Sequence, residues 1–137
     1  MSHPNGLPDL FLDRSLGRIQ VPRLLRDAGL RLVTLAEHYG IPADEDITDE
    51  EWLELAGRNA WVVFLKDGRI RSRTVERKTV ERFDVRCFCI TRQDLTAAEM
   101  AERYLRHLEA ITKACADPGP FIYALHEIRI ERLDLDP

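Results

Sequence analysis

Apolar and polar positions along this chain switch repeatedly between a strand period and a helix period. Asp9 to Asp13 is a short apolar run closing on an acid, followed from Ile19 to Ala28 by helical spacing at Val21, Leu24, Leu25 and Ala28. Pro22 is tolerated in a first turn, where backbone amides have no helical partner, and Gly29 is a suitable stop. Arg31 to Leu35 predicts a second strand, with a loop containing Gly40 and Pro42 after it. Thr48 and Glu51 then form a capping-box pair, with Ile47 and Trp52 placed as its hydrophobic staple, so Asp49 and Glu50 open a helix. The nearly unbroken apolar run Ala60 to Leu65 predicts a strand covered on both faces, ending at Lys66-Asp67-Gly68. Thr74 to Phe83 carries a narrow apolar helical face at Val75, Val80 and Phe83, and Val85 to Thr91 is the next strand. A second capping box, Thr96 with Glu99, and its staple Leu95 with Met100, open a helix buried through Met100, Tyr104, Leu105, Leu108 and Ile111. After Asp117-Pro118-Gly119-Pro120, the runs Phe121 to Leu125 and Ile128 to Leu135 predict an antiparallel closing pair. Strands alternating with helices imply an α/β domain with a largely parallel sheet.

Length and composition narrow this picture without redirecting it. The 137 residues suit one domain, expected over 1–137 with a flexible tail at 1–8. Hydrophobic residues at 45% and charged residues at 32% exclude a disordered chain, and no apolar run approaches the ~20 residues of a membrane span. Met1 to Pro8 lacks the basic and apolar regions of a secretory signal, so the expected compartment is the cytoplasm. Cys87, Cys89 and Cys115 are an odd set without further ligands at zinc spacing, and read as packing thiols.

The formal charge of −4 conceals two opposed segments. Ile41 to Glu54 holds seven acids and no base, whereas Lys66 to Arg86 holds eight bases against four acids. A basic strip of this kind could track a phosphate backbone, or be the solvated, ion-paired faces of a helix and a loop.

Ligands of α/β folds bind outside the carboxyl ends of the strands. Asp13 and Asp67 end two strands there, and the capped helix adds Asp49 and Glu50 at its first turn. Hard cations such as Mg²⁺ and Mn²⁺ take carboxylate oxygens, and clustered acids without a cation would repel and take up protons. Each acid also has a structural reading: Asp13 as a turn cap, Asp49 at a helix N-terminus, and Asp67-Gly68 as a turn dipeptide.

Phe11-Leu12-Asp13, the helix with Leu24, Leu25 and Gly29, and the strand Leu32-Val33-Thr34-Leu35 resemble the opening of small PIN-like nuclease domains. Asp49-Glu50-Glu51-Trp52-Leu53-Glu54-Leu55-Ala56 resembles that group's Asp-x-x-hydrophobic helix, and Trp61-Val62-Val63-Phe64-Leu65-Lys66-Asp67 its strand ending in Asp. The resemblance covers about Asp9 to Ile90, and the whole chain is similar to PIN-like toxins of VapC type. It implies a three-layer α/β fold with a mostly parallel central sheet flanked by helices. It further implies a Mg²⁺- or Mn²⁺-dependent endoribonuclease held inactive by a cognate antitoxin, with Asp13, Asp49 and Asp67 as catalytic, metal-binding acids. Glu50 stands as an alternative or additional ligand. Arg14, Lys66 and Arg71 are the candidate RNA-phosphate contacts.

One departure is Arg69, where related domains often carry a further acid: either Glu50 substitutes, or Asp94 approaches from the loop after Thr91, or the chain binds one metal or none. A non-catalytic PIN-like binding module is the first rival reading. A receiver-like signalling domain is the second, since Asp13, Asp67 and Thr91 end successive strands, although adjacent acids after the first strand and a late Lys are missing. His107 is expected at the surface or rim, and Ser15 has no nucleophilic apparatus around it. Whether the exposed part of the Ile128 strand supports a homodimer stays open at this level.

Overall fold

Val62–Leu65, apolar at every position, becomes the buried strand β3 and pairs on both sides in parallel, with β1 (Leu10–Leu12) and β4 (Arg86–Ile90). The computed structural model describes residues 2–135, so Met1, Asp136 and Pro137 of the expected domain lie outside the described residues. β2 (Leu32–Thr34) adds to β1 and β5 (Phe121–Leu125) to β4, both in parallel, and β6 (Ile130–Leu133) closes antiparallel on β5. The sheet order is β2-β1-β3-β4-β5-β6.

Alternate strand residues face opposite layers, which divides the core in two. Leu10, Leu12, Val62, Phe64, Phe88 and Ile90 pack against α1 (Gln20–Asp27), α5 (Ala97–Arg106) and α6 (Leu108–Ala114). Phe11, Val63, Leu65, Cys87 and Cys89 pack against α2 (Leu35–Tyr39), α3 (Asp49–Arg58) and α4 (Thr74–Arg82). The result is the expected three-layer α/β arrangement. Gly57 lets α3 approach α4 closely: a Cβ there would lie 2.6 Å from the Cβ of Phe83.

The structure differs from the sequence expectations at several points. Within the tail expected at 1–8, Leu7 joins the core and buried His3 bonds through Nε2 to the Leu7 carbonyl at 2.8 Å, while Ser2, Asn5 and Gly6 are exposed. Leu35 starts a helix where the sequence suggested a strand end and loop, because Thr34 and Glu37 exchange capping-box hydrogen bonds, both at 3.0 Å. Ala60 adopts a left-handed conformation, φ 55°, so β3 begins two residues later than the apolar run. The expected single helix after Thr96 breaks at His107, which is buried rather than at the rim and bonds to the His126 carbonyl at 2.6 Å. Ile128, 86% exposed, lies in the turn before β6 and not in the strand. Among the described residues, no helix is long and apolar enough to cross a membrane.

Tyr104 of α5 fixes the sheet beneath the carboxyl ends of β3 and β4. Its ring stacks on Phe64 at 4.0 Å between centroids, and its buried hydroxyl donates to the carbonyls of Leu65 and Phe88 at 3.0 and 2.8 Å. Tyr104→Phe leaves both carbonyls without this donor and is expected to lower stability by about 1–3 kcal/mol. Urea unfolding measures this, and an unchanged midpoint would show that the hydroxyl is not a brace.

Candidate active site

The β1 chain leaves the sheet at Asp13, whose backbone N–H still bonds to the Phe64 carbonyl at 3.2 Å. The residue then caps a 3₁₀ turn, Arg14–Leu16, with its Oδ2 accepting from the Ser15 hydroxyl at 2.8 Å and the Ser15 N–H at 3.3 Å. The Ser15 hydroxyl in turn accepts from the Lys66 N–H at 2.9 Å. One hydrogen-bond chain therefore joins the ends of β1 and β3.

Asp13 is only 6% exposed, and its Oδ1 is buried with no hydrogen-bond partner. Burial raises its carboxyl pKa above the ordinary value, nearby Asp49 raises it further, and the Ser15 and Arg14 hydrogen bonds partly oppose this. Asp49 opens α3 under the Thr48 cap and accepts from the indole N–H of Trp52 at 3.0 Å. Trp52 is buried and stacks on Phe11 at 5.7 Å, so the aromatic core sets the direction of Asp49. Asp67 caps the 3₁₀ turn Gly68–Arg71, its Oδ1 accepting from the N–H and Nε of Arg69 at 3.0 and 3.1 Å. Arg73 reaches back with Nη1 3.3 Å from Asp67 Oδ2 and 3.7 Å from Asp49 Oδ2.

The fold thus brings Asp13, Asp49 and Asp67 to one edge and sets Arg73 between the last two. Among the described residues, no three His, Cys, Asp or Glu side chains are close enough to hold one ion as they stand. The donor set nevertheless suits a hard cation: all three are carboxylates, and the orphaned Oδ1 of Asp13, desolvated beside Asp49, lacks only a positive partner. The Arg73 guanidinium supplies positive charge to Asp49 and Asp67. Cys89 lies below the acids, and burial pushes its thiol up to about 12, so it stays neutral.

Among the other expected residues, Arg71 lines one cleft with Asp67. Glu50 is exposed and lines the groove between α3 and α4 with Lys78 and Phe83, away from the Asp13 carboxyl. Asp94 pairs with Arg92 at 2.7 Å. Arg14 donates to the carbonyls of Glu45, at 3.0 Å, and Ile47. It braces the loop leading into α3, and through it the position of Asp49. Lys66 and Arg71 border different grooves, of about 460 and 630 Å³ respectively. The basic strip is dispersed as well, with Arg77 paired to Glu81 and Arg86 bonded to the Cys115 carbonyl.

A family model described as "PIN like domain" matches residues 8–92. The chain belongs to the PIN-like domain family. It is 46% identical over 127 residues to the "Putative ribonuclease VapC45" of Mycobacterium tuberculosis (strain ATCC 25618 / H37Rv), covering 93% of this chain and 92% of that protein. No solved structure matches it. All three acids, Ser15 and Arg73 fall inside the matched PIN-like stretch, while β5 and β6 fall beyond it. Membership in the PIN-like family displaces the receiver-like reading, even though receivers share the order 2-1-3-4-5. Sequence reasoning passed over Ser15 and Arg73. The position of Ser15, two residues after Asp13, was a legible signal for a capping hydroxyl, whereas nothing in the sequence tied Arg73 to the acids of this PIN-like domain.

The raised pKa of Asp13 has a direct consequence for stability. The folded chain holds this proton to higher pH than the unfolded chain, so stability falls as pH rises from the unfolded value through the folded one. Without divalent ions, Asp13→Asn is expected to raise Tm at pH 7 by about 3–5 °C, ~1 kcal/mol at this chain length. That gain should vanish near pH 3.5, where the carboxyl is protonated. Thermal melts at the two pH values measure it, and a variant less stable at pH 7 would refute the account.

Proposed function

We propose that this chain is a metal-dependent endoribonuclease of VapC type, the toxin of a toxin–antitoxin pair, using Mg²⁺ or Mn²⁺. The observation that carries the reading is the desolvated Asp13 carboxyl, with an orphaned oxygen beside Asp49 and on the same edge as Asp67. The PIN-like family and a relative named as a ribonuclease support it. Ribonucleases of this PIN-domain type are generally divalent-metal dependent. RNA and a cognate antitoxin are the proposed partners, and the cytoplasm the proposed compartment, consistent with three free cysteines.

Asp13, Asp49 and Asp67 are the proposed metal ligands. A divalent ion bound there supplies a Lewis acid that lowers the pKa of water and neutralises charge on a phosphodiester. The chain's own groups prepare that chemistry. Ser15 holds Oδ2 of Asp13, leaving Oδ1 free to coordinate. Trp52 fixes Asp49, and Arg14 braces the loop before it. Arg73 balances Asp49 and Asp67 and is placed to meet the substrate phosphate. In the overall hydrolysis a water oxygen bonds to phosphorus, the bond to the leaving ribose oxygen breaks, and the water's proton passes to that leaving oxygen through solvent.

A non-catalytic PIN-like module is the second reading. It is favoured by Arg69 in place of a further acid and by the guanidiniums of Arg69 and Arg73 on Asp67. Metal affinity separates the two. Calorimetric titration of Mn²⁺ is expected to show saturable binding that Asp13→Asn and Asp67→Asn each abolish, with folding kept; binding indifferent to both substitutions would overturn the proposed site. Asp67→Asn should also abolish cleavage of single-stranded RNA.

Arg73→Ala removes the internal cation and is expected to tighten Mn²⁺ binding about tenfold, ~1.4 kcal/mol. The same titration reads this, and unchanged or weaker binding would show that Arg73 does not compete with the metal.

A further inference from the structure

Beside Asp67 the sheet opens into a cleft of about 630 Å³, built across the carboxyl ends of β3, β4 and β5 and bounded by β6. Asp67 belongs to both the acid site and this cleft, so the two are continuous. Leu133 and Ala124 contribute apolar surface, while Arg71, Gln93, His126 and Glu131 supply polar groups. The family model's match ends at residue 92, so Gln93, His126 and Glu131 lie beyond the part of the chain it describes.

Glu131 is held in place. His126 Nε2 lies 2.8 Å from its Oε1, and Arg129 lies 3.9 Å from the same oxygen. The His126 hydrogen bond keeps its carboxyl pKa below the ordinary value, with smaller help from Arg129 and Arg71. An ionised carboxylate is acceptor-only, whereas the Gln93 amide, whose Nε2 donates to the Lys66 carbonyl at 3.4 Å, has a second N–H to donate and an oxygen that accepts. Apolar surface bordered by such groups suits a flat ring with apolar faces and a hydrogen-bonding edge, and Arg71 adds a cation for the attached phosphate. A base reaches such a cleft only from an unpaired strand.

We propose that this cleft is a nucleotide subsite for the single-stranded RNA residue adjoining the scissile phosphate, in which Glu131 and Gln93 read the base and Arg71 holds its phosphate. The proposal rests on the reading of the acids as an RNA-cutting site. Guanine fits best, because its N1–H and N2 amino group present adjacent donors to one carboxylate.

The test uses the full chain carrying Asp13→Asn, which blocks cleavage, and four fluorescein-labelled octamers. One is all uridine, and the others carry a single central guanosine, adenosine or cytidine. Fluorescence anisotropy is expected to rank the guanosine probe at least fivefold tighter than the uridine probe. Adding Glu131→Gln or Gln93→Ala should erase that ranking. Adding Arg71→Ala should weaken all four alike and reduce the salt slope by about 0.7, one phosphate contact on a single strand. A preference for another base that both substitutions erase would keep the subsite and overturn the guanine assignment. A ranking unchanged by both, or a uniform weakening of all probes by Glu131→Gln, would overturn the subsite. Cleavage by the wild-type chain is scored separately: probe ranking without cleavage overturns the nuclease reading alone, and cleavage with an unaltered ranking overturns the subsite alone.

Discussion

A carboxylate removed from water needs either a proton or a positive partner, and Asp13 is the residue at which this structure faces that demand. Its side chain sits at the end of β1, where the flanking layers leave it almost no contact with solvent. One oxygen is satisfied by Ser15, which is itself held by the backbone of Lys66; the other has no partner and lies near Asp49. Much of the surrounding architecture follows from that arrangement. The Ser15 relay fastens β1 to β3, Arg14 ties the next loop down so that α3 begins beside the acid, and Arg73 offsets the charge of Asp49 and Asp67. An unsatisfied buried acceptor is costly when left alone, and this cost is what the proposed site rests on.

The two-sided core makes such a site tenable. The edge is carried by a sheet whose central strands are apolar on both faces and locked by aromatic contacts. Trp52 on Phe11 orders one layer, and Tyr104 on Phe64 the other. Both rings also carry a polar group toward the site's side of the sheet. The Trp52 indole bonds Asp49, and the Tyr104 hydroxyl bonds the carbonyls of Leu65 and Phe88. Packing and chemistry thus use the same side chains, so the acids inherit the rigidity of the core.

Topology alone would not have told a nuclease from a signalling domain, because strand order 2-1-3-4-5 serves both. The discriminating features are local. Asp67 meets two guanidiniums instead of standing as an open phosphorylation site, and the acid that joins Asp13 comes from α3 instead of from its own strand end. The antiparallel β6 extends the parallel sheet and encloses a cleft beside the acids, giving this chain recognition surface beyond the portion that carries the family's pattern.

The periodic elements and the candidate acids were legible along the chain. An unbroken apolar run reads as a doubly covered strand, a Thr three residues before a Glu reads as a helix start, and an acid ending such a strand reads as a site residue, because each signal is local. Whatever depends on neighbours distant in the chain came only with folding. Asp49, not the adjacent Glu50, comes near Asp13 because Trp52 and the Arg14 brace fix where α3 begins. Arg14 is drawn to backbone carbonyls more than thirty residues away, His107 is buried against the β5–β6 turn, and Arg73 folds back onto the acids. None of these contacts leaves a periodicity in the sequence. Charge and burial act through space, and the orphaned oxygen of Asp13 exists only once both layers have closed around it.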